Sequence, residues 1–66
     1  MDKFSEREIE ILEYVALGLT NTQIAKKINV SSHTVKAYIA SIIRKLNAIN
    51  RTHATYLAVK NKLINL

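Results

Sequence analysis

The sequence contains no cysteine and no proline, and Gly18 is its only glycine. Without cysteine, the chain can form neither a disulfide framework nor a thiolate metal site. A phosphate-binding loop needs several glycines so that the backbone can approach the ligand, and a flexible linker needs a glycine-rich or proline-rich stretch. Both features are therefore excluded, and the fold must be stabilised by helix packing. No apolar run approaches the roughly 20 residues that cross a bilayer.

The length of the chain, 66 residues, predicts one domain that covers residues 1–66. This length lies close to the lower limit for a self-sufficient hydrophobic core. Residues 1–3 (Met-Asp-Lys) lead directly into an acidic helical segment, so that no secretory signal is visible. We therefore expect a soluble cytoplasmic protein.

Acidic residues are missing from most of the chain. The five acids all lie within the first thirteen positions: Asp2, Glu6, Glu8, Glu10 and Glu13. Residues 14–66 carry eight of the ten Lys and Arg residues, and the net charge is +5. This asymmetry favours a polyanionic partner, and nucleic acid is the first candidate. Two alternatives stay open on charge alone: a membrane or an acidic protein as partner, and a basic surface that only keeps the protein in solution.

Capping signals and apolar periodicity predict an all-α fold of four short helices. The sequence Ser5-Glu6-Arg7-Glu8 has the form of a capping box, and Gly18, Asn29 and Asn47 are suited to left-handed helix ends. The predicted helices cover about residues 6–17, a short segment up to residue 28 that Thr20 or Asn21 caps, residues 32–46 after Ser31, and residues 51–62 after Asn50.

The third helix has the clearest amphipathic pattern. Its apolar stripe consists of Val35, Ile39, Ile42, Ile43 and Leu46. The opposite face is polar or small and carries no acid: His33, Lys36, Ala37, Ala40, Ser41 and Arg44. The first helix repeats apolar residues on one face at Ile11, Leu12, Val15 and Ala16. The second helix buries Ile24, Ala25 and Ile28, and the fourth directs Ala54, Leu57 and Ala58 to the core.

The second and third helices have the spacing of a helix-turn-helix. They are joined by a three-residue turn, Asn29-Val30-Ser31, and Ala25 is small enough for the third helix to cross closely above it. The wedge between them is filled by Ile24, Ile28, Val30 and Val35. This geometry lets the third helix enter the major groove of DNA. An ordinary helical hairpin with a structural role is the alternative.

Four motifs of the chain occur in a familiar order: residues 4–8 (Phe-Ser-Glu-Arg-Glu), 18–25, 31–46 and 50–54. Together they resemble the DNA-binding domain of LuxR-type, or GerE-like, bacterial transcription regulators over nearly the whole chain. Four positions depart from the family pattern: Gln23 stands where Glu is frequent, Tyr38 where His is frequent, and Asn47 and Lys62 where Gly is common. The resemblance implies the output domain of a response regulator, which works on double-stranded DNA.

The expected site residues fall into three groups. Base contacts are expected from the polar face of the third helix, at Lys36, Ala37, Ala40 and Ser41. Phosphate contacts are expected at Thr22, Gln23, Ser32, Thr34, Tyr38, Lys45 and Arg51. A homodimer interface is expected on the fourth helix, at Thr52, Tyr56 and Val59. The resemblance supports Lys36, because the matching position of the family contacts DNA.

Each of these assignments has a plainer alternative. Lys36 can contact phosphate or only solvent, and Ser32 can serve as a simple helix cap. Each Lys or Arg, taken alone, can be a solvated surface residue. Tyr56 and Val59 can be isolated apolar residues on the surface.

The two histidines, His33 and His53, do not predict a metal or catalytic site. Zinc needs three or four converging ligands, and the chain has no cysteine or acid near either histidine in sequence. Catalysis needs a nucleophile, a base and an orienting group, and no such set is present. We expect no enzymatic activity, no metal and no cofactor.

The leading hypothesis is a sequence-specific regulator of transcription, located in the bacterial cytoplasm on nucleoid DNA. The alternative is a helical bundle of the antitoxin or anti-activator type, which binds protein and not DNA. RNA polymerase is a second candidate partner, whereas we expect no membrane partner and no small-molecule ligand within this chain. Members of the family usually carry an N-terminal phosphoacceptor or small-molecule-sensing domain, and these 66 residues contain neither.

Overall fold

The computed structural model describes residues 3–65, so that Met1, Asp2 and Leu66, including the acid at position 2, lie outside the described residues. It contains α1 (Glu6–Ala16), α2 (Asn21–Ile28), α3 (Ser32–Leu46) and α4 (Arg51–Lys60). The described part of the chain has no strand. Helix α3 lies at the centre, because α1, α2 and α4 all pack against it. The predicted all-α fold of four short helices is confirmed.

The beginning of each helix is set by a hydrogen-bonding side chain. Ser5, Thr20, Ser31 and Asn50 each accept a hydrogen bond from the backbone amide three residues later. Ser5 and Thr20 belong to full capping boxes, in which the side chain of the third residue, Glu8 or Gln23, accepts from the amide of the cap. The cap of α2 is therefore Thr20 and not Asn21.

Left-handed residues end or closely follow each helix. Gly18 has a φ of 90°, and Asn29, Asn47 and Lys62 each have a φ of 59°. In every case the next amide turns back to the carbonyl oxygen five residues earlier, at distances of 2.8–3.1 Å. This closure satisfies carbonyl groups that the end of a helix leaves without a partner.

Two helix ends differ from the sequence prediction. Helix α1 ends at Ala16 and not at residue 17, because Leu17 is the cap and Gly18 reverses the chain. Helix α4 ends at Lys60 and not at residue 62. There the left-handed Lys62 reverses the chain, and the amide of Leu63 donates to the Ala58 carbonyl at 2.8 Å.

The apolar core combines the predicted faces of all four helices. Ile43, Ile28 and Leu57 are half-buried, as are Val15 and Ala16. The fully buried apolar residues are Ile11, Leu12, Ile24, Ala25, Val35, Ile39, Ile42, Leu46, Ala54, Ala58 and Ile64. The helical periodicity therefore predicted the core correctly, except for Ile64, which follows α4 in a segment with no helical pattern.

A buried ion pair joins α1 to the end of α3. Glu8 is only 4% exposed, and Lys45 Nζ donates to its Oε1 at 2.8 Å. The same ammonium group donates to the Lys3 carbonyl oxygen at 3.0 Å and lies 5.5 Å from the centre of the Phe4 ring. Lys45 thereby holds the segment before α1 against α3.

The other oxygen of Glu8 is also occupied, because Ser41 Oγ donates to its Oε2 at 3.2 Å. Burial alone would raise the pKa of Glu8. The hydrogen bond from Lys45, the amide of Ser5, the charge of Lys45 and the Ser41 hydroxyl outweigh burial. The pKa of Glu8 therefore lies below the ordinary value of 4.5, and the group is a carboxylate at neutral pH.

Replacement of Val35 by Asp should unfold the chain. Val35 is 0% exposed and lies in α3, which packs on α2, so the variant buries an unpaired charge. The cost of several kcal/mol is comparable to the whole stability of a small domain. Circular dichroism and thermal melting should show loss of helix. Ala40→Asp, on the exposed side of α3, is the control, and a Val35→Asp variant with a native melting curve would contradict the assignment.

Glu8→Gln should lower the free energy of unfolding by about 1–3 kcal/mol near neutral pH. Because the pKa of Glu8 is lower in the folded chain, its carboxylate stabilises the fold above the unfolded value of 4.5. This contribution is lost as the pH falls through the folded-state pKa.

Urea titrations of the wild type and of Glu8→Gln, at neutral pH and at a series of acidic pH values, measure the difference between their free energies of unfolding. Glu13→Gln removes the same charge from an exposed position of α1 and should change stability by less than about 0.5 kcal/mol. If the difference between the wild type and Glu8→Gln did not shrink in acid, the stabilising role of the carboxylate would be wrong.

Candidate nucleic-acid interface

The exposed face of α3 is a ridge of basic and small side chains. His33, Lys36, Ala37, Ala40 and Arg44 are all exposed. They lie opposite the buried stripe, so the packing of α3 against the core determines that this face meets solvent. Lys36 stands one turn into the helix, and Ala37 and Ala40 on the same exposed face are small enough to allow a close approach to a ligand.

Ser41 differs from its neighbours on this face because it is half-buried. Its hydroxyl donates to Glu8, and its oxygen accepts from Arg44 Nη2 at 3.4 Å. Ser41 and Ala37 line a shallow cleft of about 390 Å³. The cleft is completed by Glu8, Thr34 and Tyr38, so two predicted base contacts and two predicted phosphate contacts lie together there.

At the start of α3, Ser31 caps the helix and Ser32 does not. Ser31 is the cap, since its Oγ accepts from the Thr34 amide at 3.0 Å and lies 2.9 Å from Thr34 Oγ1. Ser32 is exposed and is not the cap. Ser32 is the first residue of α3 and so lies at the helix end where the dipole favours an anion.

The start of α2 exposes Thr22 and Gln23. The Gln23 side-chain oxygen accepts from the Thr20 amide at 2.8 Å, and this contact assigns the orientation of its amide group. The amide nitrogen of Gln23 is thereby left as the donating end of the side chain.

Arg51, at the start of α4, joins that helix to the beginning of α2. Its Nη1 donates to Asn21 Oδ1 at 2.8 Å, and its Nη2 donates to the Leu19 carbonyl oxygen at 3.3 Å. The side chain is half-buried, and its positive charge lies close to the predicted phosphate contacts of α2. Lys45 is the more constrained cation, because two of its three protons are donated to Glu8 and Lys3.

Sequence reasoning gave Glu8 only a capping role and gave Arg44 no contact role. The structure connects both to Ser41. The Arg44 contact spans one helical turn and agrees with the predicted polar face. The Glu8 contact joins residues 33 positions apart, and no local pattern in the sequence indicates it.

Helix α4 exposes an apolar strip beside α1. Tyr56 is 58% exposed and Val59 is 40% exposed. The Tyr56 ring stacks on His53 with centroids 6.4 Å apart, and Lys60 Nζ lies 5.9 Å from its centre. A cleft of about 530 Å³ between the two helices is lined by Val15, Arg51, Thr52, Thr55, Tyr56 and Val59. The three predicted dimer residues therefore lie together.

Neither a metal cluster nor a membrane span is found in the part of the chain that the structure describes. No group of three or more His, Cys, Asp or Glu residues between positions 3 and 65 could hold a metal ion. Among the same residues, no helix has the length and apolar character that crossing a membrane requires.

Comparison with known sequences gives consistent matches. The sequence profile described as bacterial regulatory proteins, luxR family, matches residues 2–58. The nitrate/nitrite response regulator protein NarP of Escherichia coli is 44% identical in an alignment 64 positions long that covers 92% of this chain and 30% of NarP. The transcriptional regulatory protein LiaR of Bacillus subtilis is 38% identical over 64 residues, which cover 97% of this chain and 30% of LiaR. The chain thus spans about a third of the length of these relatives.

A solved structure has the same fold. The crystal structure of the response regulator ChrA of a heme-sensing two-component system matches with a TM-score of 0.91 and 42% identity. The match covers 97% of this chain and 32% of the ChrA chain. The predicted all-α helix-turn-helix fold is confirmed. This chain belongs to the luxR family of bacterial regulatory proteins.

Proposed function

We propose that this chain binds double-stranded DNA sequence-specifically by inserting α3 into the major groove, as the output domain of a bacterial response regulator. The observation that carries the proposal is the division of α3 into a fully buried apolar stripe and an exposed face of basic and small residues. The major groove, about 12 Å wide, admits a helix of this kind. The absence of acids after Glu13 gives the rest of the chain the charge that DNA attracts.

Within this mode of binding, Lys36 reads a base. Its ammonium group can donate to guanine O6 or N7, the acceptors that a cation finds in the major groove. Ala37 and Ala40 allow the helix to sit deep, and their methyl groups can contact a thymine methyl. Ser41 lies further along the same face and completes the set of base contacts.

Phosphate contacts fix the position of the helix on the duplex. Ser32 and Thr34 contribute beside the first amides of α3, and Thr22 and Gln23 contribute at the start of α2. The remaining contacts come from Tyr38, Arg51 and Lys45. For Lys45 only the third proton of its ammonium group is available, since the other two are donated within the chain.

The chain acts on DNA as a homodimer through α4. A single recognition helix covers too few base pairs to select one site in a genome, so domains of this kind commonly work in pairs. Thr52, Tyr56 and Val59 supply a surface that a two-fold axis can pair with its own copy. The patch is small, so we expect a monomer in dilute solution that dimerises on adjacent half-sites about 10 base pairs apart.

This function locates the protein in the bacterial cytoplasm, on nucleoid DNA, and gives it no catalytic role. RNA polymerase stays a predicted partner. No observation favours the alternative of a bundle that binds only protein. The two are separated by the salt dependence of DNA binding, because release of counterions makes binding to phosphates weaken steeply as salt rises.

Lys36→Ala should weaken binding to the best site by about 1–3 kcal/mol and relax the preference at one base position. Selection from a random duplex pool, followed by titrations of the selected site at one fixed salt concentration, measures both effects. Lys62→Asn is the matched control, because it also removes one positive charge and Asn tolerates the left-handed backbone there. Unchanged affinity and preference in Lys36→Ala would remove this residue from the base contacts.

The double variant Tyr56→Glu with Val59→Lys should abolish cooperative occupancy of a duplex that carries two half-sites, and should spare binding to a single half-site. Gel-shift titrations on both duplexes distinguish these outcomes. Ile49→Thr changes another exposed apolar residue, 83% exposed and outside the α1–α4 cleft, and should keep cooperativity. Cooperativity that survived the double change would exclude α4 as the interface.

A further inference from the structure

We propose that Glu8 controls which base Ser41 recognises. Because the carboxylate accepts the hydrogen bond of the Ser41 hydroxyl, only oxygen lone pairs of Ser41 face the DNA, so Ser41 selects a base that offers an amino group. Glu8 does not itself touch DNA in this proposal, because it is 4% exposed. It is a positioning residue, and the inference rests on the proposed insertion of α3 into the major groove.

The inward direction of the proton follows from the chemistry of the two groups. Ser41 Oγ lies 3.2 Å from Glu8 Oε2. An ionised carboxylate can only accept, and a hydroxyl has a single proton, so Ser41 must be the donor. The lowered pKa of Glu8 keeps the carboxylate ionised at neutral pH.

The outward side of the same oxygen already accepts a donor. Arg44 Nη2, an exposed group that can only donate, lies 3.4 Å from Ser41 Oγ. Arg44 is held by no second hydrogen bond or ion pair among the described residues, so it can be replaced by a donor from DNA. The contact indicates which end of the Ser41 hydroxyl is available on the surface of α3.

The carboxylate is fixed before any DNA arrives. Its Oε1 accepts from Lys45 Nζ at 2.8 Å and from the Ser5 amide at 2.9 Å. Lys45 is itself held by the Lys3 carbonyl oxygen at 3.0 Å. Since Glu8 cannot turn without breaking these contacts, the orientation of the Ser41 hydroxyl is a property of the folded domain.

An oxygen that only accepts discriminates among base edges. In the major groove, adenine N6 and cytosine N4 are the donors, whereas guanine O6 and N7, thymine O4 and adenine N7 are acceptors. Phosphate oxygens are acceptors as well. Ser41 therefore favours adenine or cytosine at the edge it meets and gains nothing from a phosphate.

The variant Glu8→Gln tests this by reversing the hydroxyl. The Gln oxygen can keep accepting from Ser5 and Lys45, and its amide nitrogen then occupies the place of Oε2 and donates to Ser41. The Ser41 hydroxyl can then donate its hydrogen bond to DNA. Selection from a random duplex pool should give adenine or cytosine at one position for the wild type. Glu8→Gln should accept guanine or thymine there and disfavour cytosine, which has no acceptor in the major groove, with a change in relative affinity of about tenfold.

Three further variants separate this effect from general damage. Ser41→Ala should lose the preference at the same position. Glu8→Gln in the Ser41→Ala background should add no change in preference, because the group through which it acts is absent. Glu13→Gln, with the same loss of charge on an exposed part of α1, should select the same sequence as the wild type.

A second measurement needs no variant at position 8 and so remains valid if Glu8→Gln fails to fold. The wild type is titrated with its selected duplex after the amino group has been removed at this position, with purine in place of adenine or pyrimidin-2-one in place of cytosine. Binding should weaken about tenfold for the wild type. It should be unchanged for Ser41→Ala.

Several results would overturn the proposal. The wild type could prefer guanine or thymine at the position that Ser41→Ala relaxes. Ser41→Ala could keep the wild-type base preference. A folded Glu8→Gln variant could also keep the wild-type base preference. Equal binding of the duplex without the amino group would overturn it too. A wild type that selects no sequence would instead contradict the proposed function, so the two failures are distinguishable.

Discussion

Helix α3 has to bury one side and expose the other, and the rest of the structure depends on this division. Its buried residues, Val35, Ile39, Ile42 and Leu46, are a large share of the core, and each of the other helices packs against α3. The buried residues between positions 3 and 65 form one hydrophobic cluster, so no separate core there could compensate for their exposure. Apolar burial therefore fixes the rotation of α3 about its own axis. The face that carries Lys36 is exposed as a consequence of core packing.

Short helices that pack around a central one need sharp and well-defined ends. All four helices are closed in the same way: a left-handed residue is followed by an amide that donates to a carbonyl oxygen of the helix. Gly18, Asn29 and Asn47 adopt this conformation at little cost. Lys62 is less suited to it, and a left-handed backbone costs a residue of this type roughly 1–2 kcal/mol. The closure at Lys62 is followed by Ile64, which is 3% exposed, so burial of this side chain helps to hold the reversal.

Stability and recognition meet at Glu8. This carboxylate belongs to the capping box of α1, pairs with Lys45 at the end of α3 and accepts a hydrogen bond from the Ser41 hydroxyl. A buried ion pair of this kind contributes little net stability compared with an apolar pair. Loss of one partner is nevertheless strongly destabilising, because it leaves the other charge buried and unpaired. Glu8 also lies beside the exposed face of α3. Its negative charge makes the Ser41 hydroxyl on that face a hydrogen-bond donor to the interior. The contribution of Glu8 to stability and its proposed effect on base preference can therefore be measured separately.

The sequence by itself determined the features whose partners lie close in the chain. The capping box of Ser5 and Glu8, the left-handed ends and the apolar stripe of α3 all depend on spacings of a few residues, and four ordered motifs identified the family. Only the tertiary structure decided contacts between distant residues, such as Ser41 with Glu8 and Arg51 with Asn21, which are 33 and 30 positions apart. The physical reason is that such a hydrogen bond forms only where two helices cross at a particular distance and rotation. Those quantities result from the packing of the whole core, and no local spacing encodes them.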